Sequence, residues 1–292
     1  MKFLKSGICL LLILLSFFSC NKVEEFPSEE LSEYTNLKVG KYIRYRLDST
    51  RFIFFGQRDT VVSYQAKDVV EAEITDNLGR PSWRIVRYLR DSASRNEADW
   101  KPSMTYMITP TRETIEVIEN NQRFQKLKLP INNGFTWKGN AHIETYNDLD
   151  MRFLDGWDYT YENVGGTFTD SGRTSIPNTI TINQADAEGN IGNPTAPIIQ
   201  KVFSKEVYAK NIGLVYKDLI KWEYQASFET RRCYYLKCAT NNKCDTIDCD
   251  LNPLLCDSVS TIRQWTQRCR DSVRTGFYYE GYGIKLKMID HN

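Results

Sequence analysis

The chain has 292 residues with 38 basic and 37 acidic side chains, a formal charge of +1, so it has no basic excess to neutralise nucleic-acid phosphates or hold an acidic membrane surface. Aromatic residues make up 13 %, with 17 Tyr and 14 Phe, a composition that suits half-buried strands better than helices. Only two histidines, His142 and His291, are present, which leaves little material for imidazole catalysis.

Met1–Ser19 opens with Lys2 and Lys5, runs apolar through Phe18 and ends on the small Ser19, directly before Cys20. A basic head, a short apolar run and a small residue before the cut form a secretion signal. The run is shorter than the roughly 20 apolar residues that spanning a membrane requires. After Cys20 the chain turns polar at once, with Asn21 and Lys22. This stretch resembles the leader of bacterial lipoproteins, and with Phe17 in place of the usual leucine it is similar to those of the Bacteroidota. The resemblance implies removal of residues 1–19 and acyl chains on Cys20, which make the membrane a partner. Two or more acyl chains anchor stably where one binds only marginally. Lys22-Val23-Glu24-Glu25 looks like the tag that sends such proteins across the outer membrane to face the cell exterior. Cleavage removes two lysines and leaves 36 basic against 37 acidic side chains, net −1.

Residues 20–36 hold five glutamates, one proline and few large apolar side chains, and read as a flexible acidic tether. From Leu37 the pattern changes. Tyr42, Tyr45 and Leu47 mark a first strand, and Val62 to Ile74 alternate apolar with polar residues up to Asp76-Asn77-Leu78-Gly79-Arg80. Asn, Asp and Gly reach positive φ cheaply, so that segment is a hairpin turn, with Ser82 to Arg90 returning. Further alternating runs lie at 104–108, 115–119, 127–131, 157–182, 220–224 and 282–288. Residues 183–197, rich in Asn, Gly and Pro, read as a long surface loop. Many short period-two runs with regular turns predict an all-β domain over residues 37–292, an antiparallel meander forming a curved sheet or open barrel. Tyr208-Ala209-Lys210-Asn211-Ile212-Gly213-Leu214-Val215, together with Trp137-Lys138-Gly139-Asn140, resembles segments of exported β-rich lipoproteins of the Bacteroidota, which implies the same open-barrel fold and no particular activity.

Cys233, Cys238, Cys244, Cys249, Cys256 and Cys269 fall within 37 residues of an exported chain, inside an insert at 229–276. An even number so spaced reads as three disulfides, with fifteen pairings open. The spacings contain no CxxC and the insert no histidine, which disfavours a metal site. Asp245, Asp248 and Asp250 lack the glycine and terminal glutamate of a calcium loop. Val259, Ile262, Trp265, Cys269 and Val273 recur at helical spacing, so Ser258–Thr275 is predicted as a helix that a disulfide from Cys269 could staple to the preceding loop.

No phosphate loop, nucleophile elbow or metalloprotease helix is present, and no cofactor is expected. Glu113, Glu116 and Glu119 would split between two strand faces, which argues against an acid pair for glycoside hydrolysis. Trp157, Tyr159 and Tyr161 share a strand face; they either stack on sugars or pack the core, and core packing is the commoner reason. Asp-Ser/Thr-apolar triplets at Ser49, Thr60, Ser92, Thr246 and Ser258 resemble O-glycosylation acceptors of the Bacteroidota, with a further match at Ser272. The expected function is a non-enzymatic binding or interaction module whose ligand is a glycan, a lipid or a protein, with no nucleic acid among its partners. An open-barrel carrier of an apolar, lipid-like ligand and a glycan-processing enzyme are the alternatives.

Overall fold

Strands that alternate apolar and polar residues bury one face only, and twelve such strands here bury it against one another around a common interior. The computed structural model describes residues 31–148, 151–170, 174–189, 198–228, 233–238, 243–249, 251, 254–256, 262, 264–269 and 274–292. In chain order the strands are β1 (Tyr42–Ile53), β2 (Arg58–Thr75), β3 (Pro81–Asp91), β4 (Lys101–Pro110), β5 (Thr114–Glu119), β6 (Gln122–Lys128), β7 (Thr136–Trp137), β8 (Tyr159–Asp170), β9 (Thr174–Gly189), β10 (Ile198–Ala209), β11 (Gly213–Phe228), β12 (Cys233–Cys238), β13 (Cys244–Asp248), β14 (Thr266–Cys269) and β15 (Arg274–His291).

The large sheet is antiparallel, in the order β6-β5-β4-β3-β2-β1-β15-β11-β10-β9-β8-β7. It is the expected meander: β1 to β6 each pair with the next, β7 to β11 do likewise, and β15 joins β1 to β11. The edge strands β6 and β7 are consecutive in sequence, so the sheet is a nearly closed barrel. Along the seam between them, isolated bonds replace a ladder. The Gln125 N–H donates to the Gly139 carbonyl (2.6 Å) and Trp137 Nε1–H to the Gln125 carbonyl (2.8 Å). The Tyr161 hydroxyl accepts from the Lys128 N–H (2.8 Å) and donates to the Lys128 carbonyl (2.9 Å). These bonds satisfy edge groups that would otherwise template aggregation.

Directly opposed residues of an antiparallel pair share a face. Leu47, Leu286 and Lys217 therefore form one inward row, and Tyr45, Ala66 and Leu89 another. Trp157, Tyr159 and Tyr161 are 7 %, 0 % and 0 % exposed, so they pack the core and offer no face to a sugar. One barrel end, where β10 turns into β11, is stoppered by a 3₁₀ turn at Leu31–Tyr34, with both terminal side chains buried. There the Asn211 N–H donates to the Glu33 carbonyl and Lys210 pairs with Glu33 at 2.8 Å. The tether expected through residue 36 thus stops short of Leu31, because two apolar side chains have a core to fill. The β8–β9 hairpin bends at bulges between Glu162 and Phe168, where Asn163 and Gly165 adopt positive φ. Its Phe168 ring packs on Tyr216 (5.0 Å) and its Asp170 pairs with Lys287 (2.8 Å), covering an outer apolar cluster around Val207 and Val215.

Two expectations are corrected. Residues 183–189, read as loop, continue β9, because pairing with β10 satisfies their backbone; 190–197 lie outside the described residues. In place of a helix over Ser258–Thr275, Thr266–Cys269 is a strand and Arg274 begins another; 257–261, 263 and 270–273 lie outside the described residues. The described helical turn of the insert is Leu254–Cys256. Strand pairing in the order β13-β12-β14 prevails over helical periodicity, because Trp265 packs with Tyr235 and Cys256 and the disulfides pin the chain in sheet register. Cys238–Cys244 and Cys249–Cys256 are bonded, and Cys233 stands opposite Cys269 in register.

Non-reducing peptide mapping is expected to recover the Cys238–Cys244 and Cys249–Cys256 links, and an intact mass six hydrogens short of the reduced chain would add a third bond between Cys233 and Cys269. Trp137→Phe removes the seam donor and strands the Gln125 carbonyl, which should cost about 2 kcal/mol in urea unfolding with an unchanged m-value.

Candidate functional site

Two places on the barrel concentrate functional side chains: a buried ion network inside, and an aromatic pocket outside. The inner one begins with β10, which turns Ser204, Glu206 and Tyr208 inward. Glu206 is 1 % exposed, and a buried carboxylate needs cations and donors. Lys217 stands opposite it on β11, at 3.5 Å. Lys126 reaches it from across the lumen at 2.7 Å. A bulge in β6 makes this possible: Ile115 pairs with Leu127 and Glu116 with Gln125, so Lys126 is the extra residue. The Tyr208 hydroxyl donates to the second carboxylate oxygen at 2.9 Å. Burial alone would push the Glu206 carboxyl up, but Lys126, Lys217 and the two hydrogen bonds outweigh it and hold the pKa at about 2. Lys217 also holds Glu119 below the ordinary range, at 4.0 Å.

A second inward group pairs Asp68 of β2 with Arg87 of β3, opposed in register and joined by two bonds of 2.6 Å. Tyr106 donates to Asp68 at 3.0 Å. Three inward acids, Asp68, Glu119 and Glu206, thus pair with three bases, Arg87, Lys126 and Lys217, and Lys41 also lines the cavity. The cavity among them measures about 100 Å³, enough for a few waters and well below the ~300–1,000 Å³ of ordinary ligand pockets. A carboxylate held ionised by two ammonium groups is a poor proton donor near neutral pH.

The outer site spans β1, β15 and β11. Register sets three outward rows: Asp48/Lys285/Asp218, then Thr50/Gly283/Ile220, then Gly281 beside Trp222 with Phe52 one step past the paired residues of β1. With glycine at the centre of two rows, the middle strand presents bare backbone. Tyr279 closes one end, its ring 5.4 Å from Phe52 and stacked, 5.6 Å from Trp222 edge-on and 5.0 Å from Tyr224. Over Gly283 this leaves a pocket of about 290 Å³, with Asp59 on its rim. The β1–β2 turn leans on the same end: the Tyr279 N–H donates to the Gly56 carbonyl at 2.8 Å, and a Cβ on Gly56 would collide with the Tyr279 backbone. The same turn holds Phe54 and Phe55 at positive φ, with Phe55 98 % exposed.

The residues singled out from sequence are scattered. Cys20 and Ser258 lie outside the described residues. Ser92 and Thr246 are exposed, while Ser49 and Thr60 are half-buried within strands. Glu116 points out of the barrel, bonded to Arg80 (2.7 Å) and Arg123, and so parts from the inward Glu119. The His142 ring meets the Gln125 side-chain amide at 2.9 Å. The outer pocket escapes the sequence reading because its walls come from three strands far apart in the chain. The Gly281-Tyr282-Gly283 step inside a strand was the available signal, since strand glycines mark close approach or an open face. No protein-family model and no curated protein matches this chain.

Glu206→Gln leaves two buried ammonium groups short of a counter-charge and should cost about 3–5 kcal/mol at neutral pH by urea unfolding. Because the folded pKa of Glu206 lies below its ordinary value of 4.5, its stabilisation is complete above that value and lost as pH falls toward 2. Wild-type stability should therefore fall steadily below pH 5, and Glu206→Gln should flatten that part of the profile.

Proposed function

We propose that the protein is a lipid-anchored outer-membrane lipoprotein, displayed toward the cell exterior, that acts as a non-enzymatic binding module through the outside of its barrel. The observation that carries the binding role is the contrast between the two sites. The interior pairs its acids with bases around a cavity of about 100 Å³, whereas the outer aromatic pocket is nearly three times larger. The anchor rests on the leader and Cys20. The chain joins the barrel at Leu31, at the end where β10 meets β11, and the aromatic pocket lies toward the opposite end of β11 and β15.

The barrel shape also fits a carrier of a lipid-like ligand, but its inward ions make an apolar guest costly to accommodate. Exposed Ser92, beside an Asp91 side chain that accepts from the Ala93 N–H, and exposed Thr246 are the better-placed of the proposed O-glycosylation acceptors. Cys20→Ser should move the protein from the membrane fraction to the soluble fraction of its host, and protease added to intact cells should degrade the wild-type chain. A membrane-bound Cys20→Ser variant would defeat the anchor. Complete protection from protease would place the domain inside the envelope.

A further inference from the structure

We propose that the outer pocket over Gly283 is a binding site for an uncharged sugar ring, within an oligosaccharide that runs along β15. This rests on the binding-module reading above but is independent of the anchor. Three observations carry it. The pocket floor is bare backbone: Gly283 stands between Thr50 and Ile220, and a Cβ there would come within 3.1 Å of Thr50. Its head is a packed set of rings, Phe52, Trp222 and Tyr279, which hold one another in place and so lose little entropy when a ligand docks. Its polar edge is Asp59, beside the aromatic head, with the Thr50 hydroxyl and Tyr282. In the next outward row, beyond the pocket, Lys285 stands between Asp48 and Asp218 and is bonded to Asp218 at 2.9 Å.

A pyranose ring matches this arrangement group for group. Its faces carry C–H bonds, which rest favourably on the negative face of an aromatic ring. Its edges carry hydroxyls, which donate to carboxylates and exchange hydrogen bonds with the Thr50 hydroxyl. Apolar walls with a few convergent polar groups are the general signature of a small-ligand site. Asp59 lines the pocket and, among the described lining residues, no lysine or arginine does, which disfavours phosphate and acidic sugars and favours a neutral ligand. The β1–β2 turn, whose Gly56 carbonyl accepts from the Tyr279 N–H, exposes Phe54 and Phe55, further aromatic surface for a longer chain of rings.

The test uses the full chain carrying Cys20→Ser, exported and purified. Tryptophan fluorescence and calorimetry follow titration with cellohexaose, mannohexaose, maltohexaose and chitohexaose, with hexagalacturonate and tetramethylammonium as charged competitors for the site. At least one neutral oligosaccharide should bind saturably. Trp222→Ala should weaken that binding at least about tenfold. Thr50→Trp, which fills the pocket and leaves the ring cluster intact, should do the same and keeps the test decisive if Trp222→Ala fails to fold. Absence of binding by all four neutral probes overturns the proposal, as does binding that survives Thr50→Trp. Tighter binding of hexagalacturonate or tetramethylammonium overturns it too, in favour of an acidic or cationic ligand. None of these outcomes bears on membrane release by Cys20→Ser, so failure of the sugar site and failure of the anchor are separable.

Discussion

A single carboxylate sets the terms for the barrel interior. Glu206 is sequestered from water, and an unpaired charge there would be strongly destabilising. Its partners come from two directions, Lys217 from the adjacent strand β11 and Lys126 from β6 on the far side of the lumen. The second bond is the consequential one. It ties the last strand of the first meander to the middle of the second, across the interior. The bulge that turns Lys126 inward sits beside Gln125, whose backbone N–H and carbonyl both bond across the seam. Closure of the barrel and the pairing of Glu206 are therefore coupled through two consecutive residues of β6, Gln125 and Lys126.

That coupling explains why the inside is a poor place for a ligand. Charges that cancel within a network gain nothing from a guest, and the tyrosines around them occupy the remaining space. Burial pushes the phenols of Tyr45, Tyr106 and Tyr208 well up, so they remain neutral donors that complete the network. The proposed binding surface lies on the outside, at a place where the sheet pattern is relaxed. Gly281 and Gly283 weaken β15 as a strand, and Phe54 and Phe55 hold left-handed φ values of 52° and 56° that cost roughly 1–2 kcal/mol each. Strain and missing side chains gathered at one end of an otherwise regular barrel mark the region where stability has been given up for shape.

The fold was legible in the sequence because period two is a local property. Tyr42 to Leu47, Val62 to Ile74 and Tyr282 to Met288 each alternate in a way that only a one-face-buried strand explains, and the Asp76–Arg80 turn follows from its residue types. The insert was misread where two periods competed. Ile262, Trp265 and Cys269 have helical spacing, but cross-strand pairing with β12 decides the backbone at Thr266–Cys269. Leu31 and Tyr34 were assigned to a polar tether because burial of two apolar residues among glutamates depends on a barrel end that the local sequence does not describe.

By itself the sequence determined the antiparallel all-β class and the concentration of cysteines in one insert, since each is written in contiguous residues. Tertiary structure alone decided barrel closure, the inward turn of Lys126 and the walls of the outer pocket. Register is the physical reason. Thr50, Gly283 and Ile220 are separated by more than 60 residues at the nearest and meet only because β15 pairs with both β1 and β11. A shift of one residue in either ladder would send every one of those side chains to the opposite face.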